Sequence, residues 1–380
     1  MKEVAIIGVG IHEFGRFEGV SALDMATKAI LDAIKDASVD WKSIQALYGG
    51  SMMSGEPDGV MARLGLTGAP VTNIKNGCAT GGACLRMAAQ DIVAGAHDIV
   101  LAFGFDKCPR GMFNLDMLGQ FPEWVGKMGL MVSPPLFAMN IREHMEKYGT
   151  TEDHLVKVAV KSHKNGSLNP NAMWQQEYSY EEIANSRMVA DPLRLFMITS
   201  PNEGAAAAVL CRADIARRYT DKPIMLAAVS QKTRLYGYMG LPRVSYSATI
   251  EPPTPTNETA KEAYEISVIG PDDLDVVELQ DTEAGAEILH MEEIGLCKPG
   301  EAGRLIDEGA TEINGRIPVN PSGGIMCSGE PVGASGMRQV HEIVLQLRGQ
   351  ARPRQVSNAK IGMTHVFGAP GISAVTILKN

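Results

Sequence analysis

The 380-residue sequence predicts a layered α/β fold made of two similar halves, with a helical insertion between them. Three observations carry this expectation. Short apolar runs alternate with amphipathic helical stretches. The succession that opens at Val4 begins again at Ile224. Between the two, from about Lys107 to Ser200, lies a stretch rich in methionine, proline and basic residues.

Each element follows from its local pattern. Residues 4–10 (VAIIGVG) are an apolar run closed by glycine, as in a buried strand. From Ser21, an N-cap with Asp24 three residues on, Leu23, Ala26, Ile30, Ala33 and Ile34 keep helical spacing through residue 40. IQALYGG is a second strand, and VTNIKNGCATGGACLRMAAQDIVAGAHDIVLAFGFD gives a strand, a sharp turn, a helix and a strand over 98–104. The second half opens with IMLAAVSQ, then a helix from about Thr256, then the strand LDVVELQD, whose polar end carries Gln280 and Asp281. VNPSGG forms a glycine-rich turn, GASGMRQVHEIVLQLRG a helix, and AKIGMTHVFG and ISAVTILKN two closing strands. In the insertion, LFAMNIREHMEKYG and EDHLVKVAVKSHKNG are helical. A piece of this length is expected to cover one end of the sheet and shape a ligand pocket. The expected division is 1–106 with 201–222 as the first half, 107–200 as the insertion, and 223–380 as the second half.

Composition excludes several classes. Hydrophobic residues at 45% and charged residues at 21% rule out wholesale disorder. A formal charge of −9 argues against non-specific nucleic-acid binding, which depends on a basic face, and leaves room for a local basic patch for an anionic ligand. No run of about 18 apolar residues occurs, so no membrane span is expected. The N-terminal run is broken by glycines, His12 and Glu13 and lacks a small-residue cleavage site, against a secretory signal. Six cysteines without a Cys-x-x-Cys pair signal neither a disulfide scaffold nor structural zinc, and a reduced, cytoplasmic setting fits.

The sharpest chemical signal is Cys78 in NGCATGGACLRMAA, just before a helix. The positive end of a helix dipole favours a thiolate, and Ala79, Gly81, Gly82 and Ala83 permit close approach by a backbone or a substrate. A second signal is the pair of glycine-rich turns around Asn320–Gly324 and Gly329–Gly336, where backbone amides turn toward a ligand or a packed partner. His365 ends a strand; Asp281 and Glu283 follow another. Taken one at a time, each also reads as ordinary structure: a buried cysteine, two tight turns, a packed histidine, a solvated strand end.

Together these segments resemble the thiolase superfamily, in particular its sterol-carrier-protein-type branch. NGCATGGACLRMAAQDIVAGAHDIVLAFGFDK resembles the nucleophile segment. KYGTTEDHLVKVAVKSHKNGSLNPNA and NSRMVADPLRL resemble the loop domain, and SPNEGAAAAVL the strand that returns to the core. VVELQDTEAGAEI, VNPSGG, GEPVGASG and THVFG follow in the family's order, so the resemblance spans nearly the whole chain. It implies the thiolase fold: two α/β halves with mixed five-stranded sheets in α-β-α-β-α layers, plus a loop domain, and a homodimer formed through the N-terminal half. It implies CoA-dependent cleavage of a 3-oxoacyl-CoA through an acyl-enzyme, with coenzyme A as substrate and no permanently bound cofactor or metal. Cys78 stands at the nucleophile position and His365 at that of a catalytic base or acid. Gly323, Gly324, Gly368 and Asp281 are the candidates to line acyl-CoA.

The sequence departs from the family at two places. Gly329-Glu330-Pro331 stands where thiolases have Gly-His-Pro, and Gln280-Asp281 where relatives have His-Asp or Asn-Glu. A carboxylate cannot stabilise an oxyanion unless protonated, though it can act as a base; Gln280 can donate through its amide to an oxyanion or a water. Three readings compete: a thiolase adapted to an unusual substrate, an acyl-CoA carbon–carbon lyase of retro-aldol type, and a non-catalytic acyl-CoA-binding subunit. Members of this branch with altered motifs, benzoylsuccinyl-CoA thiolase among them, work with a small zinc-ribbon/OB-fold subunit. The resemblance therefore implies such a partner and an aromatic or dicarboxylic acyl group. The Met- and Phe-rich residues 111–137 are candidates for a bulky acyl pocket, and Arg110, Lys127, Arg142 and Lys147 for contacts to CoA phosphates.

Overall fold

Local pattern and observed structure agree over most of the chain in the computed structural model, which describes residues 3–111, 124, 127, 132–236, 253–369 and 371–380. The first half runs β1 (Val4–Gly15), α1 (Ala22–Ala37), β2 (Ala46–Gly50), β3 (Val71–Ile74), α2 (Thr80–Ala94) and β4 (Ile99–Lys107). The insertion supplies α3 (Ser133–Tyr148), α4 (Glu152–Ser167) and the small pair β5 (Met188–Ala190) and β6 (Leu193–Arg194), after which β7 (Glu203–Arg212) re-enters the core. The second half runs β8 (Ile224–Lys232), α5 (Pro255–Ser267), β9 (Val276–Glu278), α6 (Ala284–Glu293), α7 (Gly324–Ser328), α8 (Ser335–Arg348), β10 (Ile361–Gly368) and β11 (Ile372–Lys379).

Ser21 and Asp24 cap α1 reciprocally, and the helix buries Met25, Ala29, Ile30 and Ala33 against the sheet. It stops at Ser38, whose φ of 52° is left-handed, two residues short of the expected end. Strand β1 outruns its expected end at Gly10, because His12 and Gly15 still pair with Ala205 and Glu203 of β7.

The strand order is β3-β2-β4-β7-β1-β8-β11-β10-β9. In the first half β2 is parallel to β3 and β4, while β7 runs antiparallel to β4 and β1. In the second, β10 is parallel to β9 and antiparallel to β11, which pairs antiparallel with β8. The succession β1-α1-β2-β3-α2-β4-β7 thus reappears as β8-α5-β9-α8-β10-β11, with the counterpart of β3 reduced to one parallel bridge between Val277 and Val319. The two expected sheets are also joined: Ala5 pairs with Met225 and Ile6 with Ile224, linking them at β1 and β8.

Three apolar cores separate five layers. One lies between α1 and the first sheet. A second surrounds α2 and α8, with Leu85, Ile92, Val340 and Ile343 packed between the two sheets. The third joins the second sheet to α5, α6 and the inserted helices. Helices α2 and α8 touch through glycine: a Cβ on Gly81 would lie 2.7 Å from the Met337 nitrogen, and one on Gly336 2.8 Å from the Gly82 nitrogen. The small residues after Cys78 therefore serve helix packing. Among the described residues no helix is long and apolar enough to cross a membrane.

Candidate active site

Cys78 lies in the turn that enters α2. Thr80 ties this turn: its hydroxyl donates to the Gly77 carbonyl at 2.6 Å and accepts from the Asn76 amide at 2.9 Å. Gly77 holds a φ of 59°, open to glycine at little cost. The end of β10 presses on the same turn, since a Cβ on Gly368 would sit 3.0 Å from the Cys78 nitrogen. Gly368, a candidate to line substrate, thus lets two backbones meet, and the Ala369 amide donates toward the Cys78 sulfur. Cys78 keeps partial exposure, although the protein packs closely around its sulfur.

Beside the sulfur stands Glu330, in the loop between α7 and α8. Its amide donates to the Ser200 carbonyl at 2.9 Å, which pins it to the chain entering β7. The carboxyl accepts from the Gln280 amide (Nε2 to Oε1, 2.8 Å) and shares a hydrogen bond with Cys78, and the Ser335 hydroxyl also faces it. Gln280 is held at the end of β9 because Asn320 accepts from the Leu279 amide at 2.7 Å. Burial raises the Glu330 carboxyl above the usual carboxylate range, and the bonds from Cys78 and Gln280 oppose that rise. Burial also pushes the Cys78 thiol well up, and the adjacent carboxylate pushes further. The thiolate-favouring effect expected from the helix terminus is therefore outweighed. The sulfur is a thiol whose proton has a carboxylate to move to.

His365 is elsewhere. Side chains alternate along β10: Val366 packs with Ala79 beside Cys78, so His365 faces the opposite layer. There it meets the Thr256 hydroxyl at 3.1 Å and the His290 ring at a centroid distance of 4.5 Å. It is fully buried, and burial holds it neutral, well below the usual histidine range. The expected pairing of His365 with Cys78 is not what the fold produces; strand periodicity forbids it.

The other candidates divide similarly. Asp281 is fully buried and accepts from the Ile325 amide at 2.6 Å. A Cβ on Gly324 would strike its carboxylate, and one on Gly323 would come within 2.5 Å of Gly166 Cα. These three pack the second half against α4 and face no open cleft. Arg110 and Lys127 are exposed; Arg142 pairs with Asp191, and Lys147 lies over the Tyr148 ring. Most of the Met- and Phe-rich residues 111–137 lie outside the described residues. Among the described residues no group of three or more His, Cys, Asp or Glu is placed to hold a metal ion.

A cavity of about 480 Å³ opens largely among residues of the insertion, lined by His163, Trp174, Tyr178, Phe196 and Ser200 together with Met326 of the second half. Tyr178 and Phe196 stack at 4.2 Å, and His163 meets Tyr178 edge-on. Ser200, whose carbonyl anchors Glu330, is thus common to this cavity and to the surroundings of Glu330.

Residues 4–214 match the thiolase N-terminal domain, and residues 242–380 match the thiolase C-terminal domain-like family. The chain belongs to the thiolase family. This thiolase-type acyltransferase is 39% identical to the acetyl-CoA acetyltransferase of Methanothermobacter thermautotrophicus over 98% of each chain. It is 33% identical to sterol carrier protein 2 of Homo sapiens over the whole chain and 72% of that protein. To benzoylsuccinyl-CoA thiolase subunit BbsB of Thauera aromatica it is 32% identical, over 97% of this chain and 95% of that one. Among solved structures, the Ltp2–ChsH2(DUF35) aldolase matches with a TM-score of 0.86 at 24% identity, covering 100% of this chain and 98% of that one. Human mitochondrial 3-ketoacyl-CoA thiolase matches at 0.74 and 14% identity, covering 100% and 99%. These last two likenesses concern the fold.

Sequence reasoning passed over Ser335 and Arg338, both on the α8 face turned to Glu330. Their signal was present in GASGMRQ: a serine and an arginine three apart at a helix start, on one face.

Proposed function

We propose that this thiolase catalyses CoA-dependent thiolytic cleavage of a 3-oxoacyl-CoA, with Cys78 as nucleophile and Glu330 as proton acceptor and donor. One observation carries the reading: the hydrogen-bonded pair Cys78–Glu330, with Gln280 holding the carboxylate. Glu330 takes the thiol proton as the sulfur attacks the 3-oxo carbon. The C2–C3 bond breaks, its electron pair moves to C2, and Glu330 returns the proton there, releasing the CoA thioester of the C1–C2 fragment and leaving the shortened acyl group on Cys78. The thiol of a second CoA then attacks the Cys78 thioester; its proton passes through Glu330 to the departing Cys78 sulfur. The first half-reaction spends the pair's one proton on C2, and the second restores it from the CoA thiol as the acyl group leaves as a new CoA thioester, so the cycle closes.

The apolar cavity beside Ser200 would receive the uncharged part of the thioester, and its aromatic walls suit a bulky or aromatic acyl group. Similarity to BbsB supports benzoylsuccinyl-CoA as one substrate to assay. The same relative is named a subunit, which supports a search for a small zinc-ribbon/OB-fold partner. Edge strand β3, with Thr72 and Asn73 exposed, is the surface of the N-terminal half through which a homodimer would form. Residues 107–200 are taken as a unit closing one end of the sheet, in a cytoplasmic enzyme.

The test is a panel of 3-oxoacyl-CoAs assayed with parent, Cys78→Ser and Glu330→Gln proteins, alone and co-expressed with neighbouring open reading frames. Thiolysis with a Cys78 acyl-enzyme visible by mass spectrometry supports the reading. Cleavage of a 3-hydroxyacyl-CoA without consumption of CoA identifies a retro-aldol lyase instead. Acyl-CoA binding that persists in Cys78→Ser, with no turnover in the parent, identifies a binding subunit.

A further inference from the structure

Arg338 stands on α8 one turn beyond Ser335, and its guanidinium is 3% exposed. Nη1 binds Ser322 Oγ at 2.6 Å and Glu278 at 3.0 Å, whereas Nε and Nη2 have no partner among the described residues. A guanidinium presents five donors in a rigid fork, and unspent donors in an interior are costly. Unspent acceptors lie in the same interior: Gln280 Oε1, Asp281 Oδ2, Ser328 Oγ and Asn202 Oδ1 are likewise buried without partners, and Ser328 shares a cavity wall with Arg338. All but Asp281 belong to the frame of Glu330. Gln280 bonds its carboxylate, Ser328 precedes it by two residues, and the Asn202 amide donates to its carbonyl at 3.4 Å. Beside Arg338, a crevice of about 10 Å³ lined by Ser328, Asn169, Asn171 and His341 has room for a water molecule. The free Arg338 donors and the free Ser328 hydroxyl on such a space describe a water-bridged contact.

We propose that Arg338 is the positioning residue of the acid–base pair: through water bridged from its free N–H groups to the Gln280–Glu330 frame, it holds Glu330 charged and aimed at Cys78. The proposal rests on the reading of Glu330 as the base. The charges around it leave Arg338 in that role. Glu330 is faced by Cys78 before α2, Cys108 after β4, Gln280 after β9 and Arg338 on α8. Arg338 is faced by Glu278 and Asp281 from β9 and its end, by Cys327 from α7, and by His341 and Glu342 along α8. Glu287 of α6 acts on Asp281 but is matched by Lys161. Burial lowers His341 to about 4, leaving it neutral, and Glu342 is matched by Arg354 at 2.9 Å.

The experiment follows Cys78 alkylation by iodoacetamide against pH, read by mass spectrometry on the full chain. The parent should show a lower step, where Glu330 loses its proton and begins to accept that of Cys78, and an upper step for the free thiolate. Removing the ion pair as a unit, Glu278→Gln with Arg338→Gln, avoids stranding one buried charge. In that variant the lower step should move up by about one pH unit, with about tenfold slower alkylation below it. Arg338→Lys keeps the charge and the Glu278 partner but loses the fork; its step should move in the same direction by less. Neither substitution should alter the profile in a Glu330→Gln background. A lower step that stays put in either folded variant overturns the proposal. A lower step that survives Glu330→Gln alone sinks the Glu330 reading instead, so the two failures are distinct.

Discussion

Replacing Glu330 by glutamine removes a proton acceptor while keeping the shape of the side chain. The new amide oxygen can still accept from Gln280 Nε2, and the backbone bond to Ser200 is untouched. The new amide also brings donors to a site where Gln280 Oε1 has none. Melting temperature should therefore change little, and the loss should fall on chemistry. Deleting a general base costs on the order of 10²–10⁴ in rate, or about 3–5 kcal/mol in the barrier. Thiol reactivity should move the other way. The carboxylate raises the Cys78 thiol, so its removal should speed alkylation at alkaline pH while kcat for thiolysis collapses. The assay is loss of 3-oxoacyl-CoA absorbance, on the substrate the parent cleaves fastest, beside iodoacetamide labelling of the same samples. In the parent, kcat/KM should rise with pH as Glu330 loses its proton, at a pH above the usual carboxylate range; the variant should lack that limb. A Glu330→Gln enzyme within about threefold of parental kcat, far below the cost of losing a base, would refute the reasoning.

Other outcomes follow from the same geometry. His365→Ala should lower stability by about 2–4 kcal/mol in chemical denaturation, as a fully buried ring is lost, yet leave Cys78 alkylation within about twofold; a collapse of labelling in folded protein would restore His365 to the site. Glu283 is buried at the N-cap of α6, and burial raises it from 4.5 to about 8. Its folded form binds the proton more tightly, so its contribution to stability is complete below about pH 4.5 and is lost as pH rises through about 8, by up to about 4–5 kcal/mol. Glu283→Gln, still able to accept from Gly285, should flatten that part of the stability–pH curve, measured by urea unfolding. Gly104→Ala places a Cβ 2.0 Å from the Gly333 carbonyl and should cost about 1–3 kcal/mol in thermal unfolding, with Cys78 labelling slowed because Gly333 belongs to the loop that follows Glu330.

The architecture was legible because it is written in short-range pattern. Short apolar runs marked β1, β4, β10 and β11, helical spacing marked α1 and α8, and the recurrence after Ile224 announced the duplication. Cys78 was legible because a thiol before a helix of small residues is a local feature. Glu330 drew attention only as a departure from Gly-His-Pro; its contact with Cys78 joins residues more than 250 positions apart and depends on the Ser200 carbonyl. His365 was placed on the wrong face because resemblance fixes a position along a strand, whereas alternation fixes the side, and Val366 already occupied the side of Cys78. Gly323 and Gly324 have positive φ as ligand-binding turns do, but their space is filled by Gly166 and Asp281, which no local pattern reveals.

The repeated topology gives the centre of the molecule a pseudo-twofold symmetry, with α2 and α8 as mates crossing through glycine. The segment leading into one mate supplies sulfur; the segment leading into the other supplies the carboxylate. In the proposed mechanism neither half owns a reaction centre. Chain fragments separated between β7 and β8 would each hold one reactant group, and only their reassociation could restore turnover, so fidelity of docking between the halves is itself a condition of catalysis.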